Sequence, residues 1–113
     1  MESTMGVYVM QVASTLTGIH PQTLRKYERA GFVSPSRNYM MRLYSDDDIA
    51  QLKMIKRLVD DRGLNLAGVG LVLKLRELLL DMKEEIISSG ISQQLEQHFT
   101  GLLEEMLEML GNY

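Results

Sequence analysis

The 113-residue sequence contains no cysteine, which excludes disulfide bonds and thiolate metal sites. It has no run near the ~20 apolar residues of a membrane span, and residues 1–4 lack the basic stretch of a secretory signal. Its two histidines, His20 and His98, do not have the paired spacing of a metal site. No nucleophile–base pair or phosphate-binding glycine loop is visible. We therefore expect no enzyme activity, metal, cofactor or membrane partner, and a cytoplasmic location.

The chain is 45% apolar, which is ordinary for a globular protein, and its length suits one domain with at most an added association segment. The net charge of −3 is unusual for a nucleic-acid-binding protein, but the charges are unevenly distributed. Residues 20–42 hold five cations and one acid, whereas residues 64–113 hold three cations and eight acids. A local basic patch is the relevant signature of nucleic-acid binding, not the total charge.

Residues 19–31 show the pattern of a short helix with cations on one side. Pro21 suits a first helical position, and Gly31 suits a left-handed helix end. At about 100° per residue, one arc carries only polar and basic side chains, while Leu24 lies opposite and Tyr27 partly beside it. The polar arc consists of Gln22, Arg25, Lys26 and Arg29.

A second apolar pattern at helical spacing precedes this helix, and Thr17-Gly18 separates the two. Its residues are Val9, Val12, Ala13 and Leu16. A helix, a glycine-containing turn and a basic helix form the helix-turn-helix arrangement, whose second helix enters the DNA major groove. An ordinary amphipathic surface helix is the alternative interpretation of this stretch.

The flanking segments predict less regular structure. Residues 1–6 are expected to be a loose tail, and residues 7–10 an extended segment. Residues 32–44 contain Pro35 and turn-forming residues, which predict a small β-hairpin or an extended loop. As a hairpin it would be a wing beside the recognition helix, with Arg37 and Arg42 near the DNA backbone; as a loop it would only be a solvated surface.

Capping residues mark two further helices. Ser45 is a good N-cap, and the three aspartates after it suit a first helical turn rather than a metal site. This third helix has a buried stripe made of Ile49, Leu52, Ile55, Leu58 and Val59. Asn65 is predicted to cap a fourth helix.

Residues 75–110 carry apolar side chains at steps of three and four, in two pieces separated by Ser88-Ser89-Gly90. This seam is short for a coiled coil, but it is more apolar than one small domain needs to bury. We therefore predict a homodimer interface; packing of two antiparallel helices within one chain is the alternative. The predicted interface residues are Leu75, Leu79, Met82, Ile86, Leu95, Phe99, Leu102 and Met106.

Together these segments resemble the MerR family of transcriptional regulators over about residues 8–75. The matching motifs are Tyr8-Val9-Met10, Val12-Ala13, Thr17-Gly18-Ile19, residues 23–29, Gly31, Ser34-Pro35, Arg42-Leu43-Tyr44-Ser45 and Asp48-Ile49. Residues 7–9, 20–25, 33–35 and 65–68 are most similar to the heat-shock repressors of that family. Lys26 stands where the family has a tyrosine, and Met40-Met41 where it usually has Gly-Tyr.

The resemblance implies a winged helix-turn-helix DNA-binding domain at residues 7–74 and a helical dimerisation segment at residues 75–113. It implies binding to a promoter inverted repeat, with Arg25, Lys26 and Tyr27 at family positions that touch DNA and Arg42 as the wing arginine. Because only about 40 residues follow the DNA-binding region, we expect the signal to be temperature or a protein rather than a small molecule. The resemblance favours a DnaK-type chaperone as co-repressor.

We therefore predict a mainly α protein that acts as a dimeric repressor of heat-shock or chaperone genes. A MerR-type activator with another signal, or a helical interaction module without DNA binding, are the alternatives. The residues predicted to contact DNA are His20, Gln22, Thr23, Arg25, Lys26, Tyr27, Arg29, Arg37, Tyr39 and Arg42.

Overall fold

A computed structural model describes residues 2–38 and 40–111 as mainly helical, with one small sheet, as predicted. The chain separates into two compact units, Met1–Gly63 and Leu64–Tyr113. The predicted functional boundary after residue 74 lies inside a continuous helix and stays a prediction. Within the described residues, no helix combines the length and apolar character needed to cross a bilayer.

The first unit contains three strands and three helices after a short 3₁₀ turn at Glu2–Thr4. In chain order they are β1 (Gly6–Val9), α1 (Met10–Thr17), α2 (Pro21–Arg29), β2 (Ser36–Asn38), β3 (Met41–Ser45) and α3 (Asp46–Asp60). The expectation of a loose tail is wrong for residues 2–4, and for Gly6, which begins β1. Ser3 Oγ donates to Asp47 Oδ2 at 3.4 Å, which connects this turn to the start of α3.

The three strands form an antiparallel sheet in the order β1-β3-β2. The predicted hairpin is present, with Arg37 opposite Arg42. Residues 7–9 of the predicted extended segment lie in β1, whereas Met10 begins α1. β1 pairs with β3 so that Tyr8 lies opposite Tyr44. This long-range pairing could not be predicted, because a single four-residue strand does not indicate its partner.

The core of the first unit lies between the helices and β3. Its fully buried side chains are Ala13, Leu24, Tyr44, Leu52, Ile55 and Leu58. The apolar stripe predicted on α1 is only partly right, because Val12 and Leu16 are more than 40% exposed. The eight-residue α1 instead buries Ala13 and Thr17, and the Thr17 hydroxyl is satisfied by donating to the Ala13 carbonyl at 2.8 Å.

Helix α3 begins with a reciprocal cap. Ser45 Oγ accepts from the Asp48 N–H at 3.0 Å, and Asp48 Oδ2 accepts from the Ser45 N–H at 2.9 Å. Each side chain thus satisfies an unpaired amide at the helix start. All three aspartates lie in the first turn of α3, as predicted, and Asp48 is the one that takes part in the cap.

The second unit is a pair of antiparallel helices, α4 (Leu66–Ser88) and α5 (Gln93–Met109). Asn65 Oδ1 caps α4 by accepting from the Gly68 N–H at 2.8 Å, as predicted. The predicted interruption at residues 88–90 is the turn between the helices, where Gly90 adopts φ of +76°. An ion pair joins the two helices, with Lys83 Nζ 2.8 Å from Glu104 Oε1.

Candidate nucleic-acid interface

Helix α2 is fixed at its start by its own sequence. His20 is the N-cap, and its Nδ1 accepts from the Gln22 N–H at 3.1 Å. Pro21 follows at the first helical position, where no amide partner is needed. His20 is therefore a helix cap in the structure, and its predicted contact with DNA stays a prediction.

One side of α2 packs into the core. Leu24 is fully buried and Tyr27 is 7% exposed, with the Tyr27 ring 5.9 Å from that of Phe32. Burial, followed by the charge of Asp60, raises the pKa of the Tyr27 phenol above its usual value. Tyr27 thus lies on the packed side of the helix, and its predicted contact with DNA stays a prediction.

The other side of α2 points into solvent and is cationic. We call Gln22, Arg25, Lys26 and Arg29 the cationic face; all four are exposed. With the half-buried Thr23 they line an open depression of about 500 Å³. Among the described residues, none of the three cations forms an ion pair, so their charges are available to an anionic partner.

The two hairpin arginines are paired with α2. Arg42 Nε donates to Glu28 Oε1 at 2.7 Å, and Arg37 Nη2 donates to Glu28 Oε2 at 3.1 Å. This role of Glu28 was not predicted from the sequence. The signal was present, since Glu28 is the single acid among five cations in residues 20–42.

The rest of the hairpin is exposed. All three residues of β2 face solvent, and Met40 at the turn is 91% exposed. Tyr39, which is predicted to contact DNA, lies outside the described residues. The hairpin therefore adds an exposed polar edge next to α2, held there through Glu28.

Residues 8–75 match the sequence profile of MerR HTH family regulatory proteins, which covers more than half of the chain. The chain belongs to the MerR family. This agrees with the helix-turn-helix arrangement of α1 and α2 and with the absence of an enzyme signature in the sequence.

Three relatives place this MerR-family chain among regulators. It is 44% identical to the HspR protein of Streptomyces coelicolor, named as a heat shock protein, over 68% of this chain and 52% of that protein. It is 31% identical to the transcriptional repressor CarH of Myxococcus xanthus over 94% of this chain and 35% of CarH. It is 36% identical to the transcriptional regulator GlnR of Bacillus anthracis over 63% of this chain and 55% of GlnR. The chain thus spans about half, or less, of these relatives' lengths.

In this MerR-family chain, the residues predicted to form a dimer interface are not buried within the second unit. Leu75, Met82, Leu95, Phe99, Leu102 and Met106 are 42–50% exposed, and Leu79 and Ile86 are half-buried. The buried residues of α5 are instead Leu103 and Leu107, each 3% exposed. This second stripe was not predicted, because two leucines four residues apart are a weaker apolar signal than the longer heptad seam.

Proposed function

We propose that this MerR-family protein is a sequence-specific DNA-binding repressor of heat-shock or chaperone genes that binds a promoter inverted repeat as a dimer. The observation that carries the proposal is the cationic face of α2. It is exposed and has no ion pair among the described residues, while the opposite side of the helix is packed into the core. In this proposal residues 7–74 form the DNA-binding domain and residues 75–113 the dimerisation segment.

The cationic face has the chemistry that a major-groove helix needs. Arg25 can donate two parallel hydrogen bonds to guanine O6 and N7, the commonest specific contact of this kind. Lys26 can bind either guanine or a phosphate, and Arg29 can bind the backbone. Gln22 can pair with the N6 and N7 edge of adenine. The hairpin is then the wing, with Arg37 next to the phosphates.

The exposed apolar residues of α5 support dimerisation. Residues 95, 99, 102 and 106 each leave over 40% of their surface in water on one helix, more than a small soluble unit usually exposes in one stripe. Pairing with a second chain would bury them. A twofold dimer would also present two recognition helices, which matches an inverted repeat.

The heat-shock assignment rests on the likeness to HspR, which covers 68% of the chain, and the repressor assignment gains support from the likeness to CarH. A DnaK-type chaperone acting as co-repressor belongs to the same proposal. Chaperone released from unfolded proteins would strengthen operator binding, and chaperone sequestered during heat stress would relieve it.

The first test is selection of genomic DNA fragments by the purified protein, followed by titration of the selected site with Arg25→Ala/Lys26→Ala. We expect the double variant to lose affinity and to lower the slope of log K against log salt by about one for each phosphate that is no longer bound. Loss of hydrogen bonds to a base should relax sequence preference by about 1–3 kcal/mol. Both side chains are exposed, so the variant should fold normally.

The matched control is Lys53→Ala/Lys74→Ala, which removes the same charge from exposed positions on α3 and α4. Equal losses in both double variants would indicate a general charge effect, and unchanged affinity in the first would refute the assignment of α2. Protein that retains no DNA at low salt would favour the interaction-module alternative. Binding of a promoter that the protein activates in transcription assays would favour the activator.

A further inference from the structure

The ion pairs of Glu28 connect the recognition helix to the hairpin. Its side chain is 22% exposed, and each carboxylate oxygen accepts from a different arginine, one on β2 and one on β3. Arg37 and Arg42 lie opposite each other in the strand register. The carboxylate therefore bridges both strands of the hairpin to α2 and limits how far the hairpin can swing from the cationic face.

The two arginines of this bridge are not equivalent. Arg42 is 27% exposed and donates through Nε at 2.7 Å. Arg37 is 53% exposed and donates through one terminal nitrogen at 3.1 Å. A guanidinium has five N–H donors in a rigid fork. Arg37 can therefore keep its bond to Glu28 and still direct other N–H groups toward a phosphate in solvent.

We propose that Glu28 is a positioning residue for DNA binding. Its ion pair with Arg37 holds that arginine at the phosphate backbone, and its ion pair with Arg42 holds the hairpin against α2. This inference rests on the proposed function. Under this proposal Glu28 strengthens binding to DNA, although its own negative charge repels the phosphates. Arg42 is the less exposed of the two arginines and is assigned here to holding the hairpin through Glu28; its predicted contact with DNA stays a prediction.

Whether Glu28→Gln raises or lowers the affinity for DNA distinguishes a positioning role of Glu28 from a purely electrostatic one. If Glu28 contributed only its charge, the neutral variant would bind DNA more tightly and with a steeper salt dependence, because a repulsion is removed. If Glu28 positions the hairpin, affinity should instead fall by about tenfold, the equivalent of one charge-assisted pair. The salt slope should decrease by about one, because Arg37 is no longer held at the phosphate.

The control for this charge change is Asp60→Asn, which removes another ion-paired carboxylate, that of Asp60 with Lys56 at 2.8 Å. We expect this control to bind DNA as tightly as the wild type or slightly more tightly. Glu28→Asp, which keeps the charge but shortens the side chain, should restore part of the lost affinity. Circular dichroism melts of each variant verify that the fold is retained at the assay temperature.

A second variant keeps the inference testable if Glu28→Gln does not fold. Arg37→Lys preserves the charge at a half-exposed position but removes the fork that binds Glu28 and phosphate together. We expect it to lose severalfold in affinity. Wild-type affinity in Arg37→Lys, or tighter binding with a steeper salt slope in Glu28→Gln, would overturn the inference. Failure of the wild type itself to bind DNA would instead refute the proposed function.

Discussion

At the scale of single residues, Tyr44 combines a buried ring with an unsatisfied polar atom. It is fully buried, and its hydroxyl has no hydrogen-bond partner among the described residues. Burial, and then the nearby charge of Glu28, raises the pKa of this phenol. A buried hydroxyl without a partner retains its desolvation cost, on the order of 1–3 kcal/mol.

We predict that Tyr44→Phe increases the free energy of unfolding by about 1 kcal/mol, because the ring stays packed while the unpaired hydroxyl is removed. Urea denaturation at neutral pH measures this change. The matched control is Tyr8→Phe, which removes an exposed hydroxyl that donates to Asp46 Oδ1 at 2.7 Å and should slightly weaken folding. A clear destabilisation by Tyr44→Phe would show that the hydroxyl is in fact hydrogen-bonded.

We also predict that Tyr44→Phe changes how the stability of the protein depends on pH in alkaline solution. Since the folded-state pKa of Tyr44 is raised above the unfolded value of about 10, its contribution to stability is complete below pH 10. That contribution is lost as pH rises through the folded-state pKa, because the unfolded chain releases the proton more readily. The wild type should therefore lose stability above pH 10 more steeply than Tyr44→Phe.

At the scale of elements, helix α5 carries two apolar stripes with different exposures. Leu103 and Leu107 are each 3% exposed, while Leu102 is 44% exposed. Adjacent leucines on one helix therefore face different environments. This contrast allows folding of the helix pair to be separated experimentally from association of two chains.

We predict that Leu102→Asp leaves the protein helical but monomeric, because a charge buried in a dimer interface costs several kcal/mol. DNA binding should fall with it, since one monomer covers one half-site. Leu103→Asp should instead unfold the helix pair. The control is Gln97→Asp, which adds the same charge at an exposed position of α5. Light scattering combined with circular dichroism distinguishes these results; a wild type that is monomeric at micromolar concentration would refute the dimer.

At the scale of the whole molecule, the two units have opposite charge character. Residues 20–42 are basic, whereas residues 64–113 hold eight acids and three cations. An acidic and partly apolar second unit is suited to protein contacts rather than to DNA, which repels it. The proposed chaperone contact is therefore assigned to this unit.

We predict that a purified DnaK-type chaperone from the same source increases the affinity of the protein for its operator. The measurement is an operator titration with and without the chaperone, and bovine serum albumin at equal concentration is the control. An unfolded client protein added with the chaperone should reverse the increase. If the chaperone leaves affinity unchanged while a small metabolite raises it, the co-repressor proposal fails and a general MerR-type regulator takes its place.

The features that depend on neighbouring residues were the most predictable from the sequence. The start of α2 at Pro21, the Ser45 cap and the Asn65 cap all have local causes, and each is present. The cationic arc could also be predicted, because helical spacing alone places Arg25 and Lys26 on the side opposite Leu24.

Features that depend on distant contacts were predicted less well. Glu28 stood out in the sequence as the single acid among five cations in residues 20–42, but composition does not indicate which of those cations it meets. Val12 and Leu16 fitted a buried stripe, but the packing around α1 leaves that side exposed. Helical spacing places Leu102 and Leu103 on two different apolar stripes of α5, but it does not indicate which stripe is buried within one chain. These outcomes are set by tertiary packing, which propensity does not encode.

The pairing of β1 with β3 also has a consequence for how the protein folds. Tyr8 and Asp46, which this sheet brings within hydrogen-bonding distance, are 38 positions apart in the chain. Closing so large a loop costs entropy before β1 and β3 can pair, so we expect α1 and α2 to form before this pairing. The helices should therefore form early and the hairpin should acquire its final orientation late. Newly synthesised protein would then have the cationic face of α2 before its hairpin is correctly oriented.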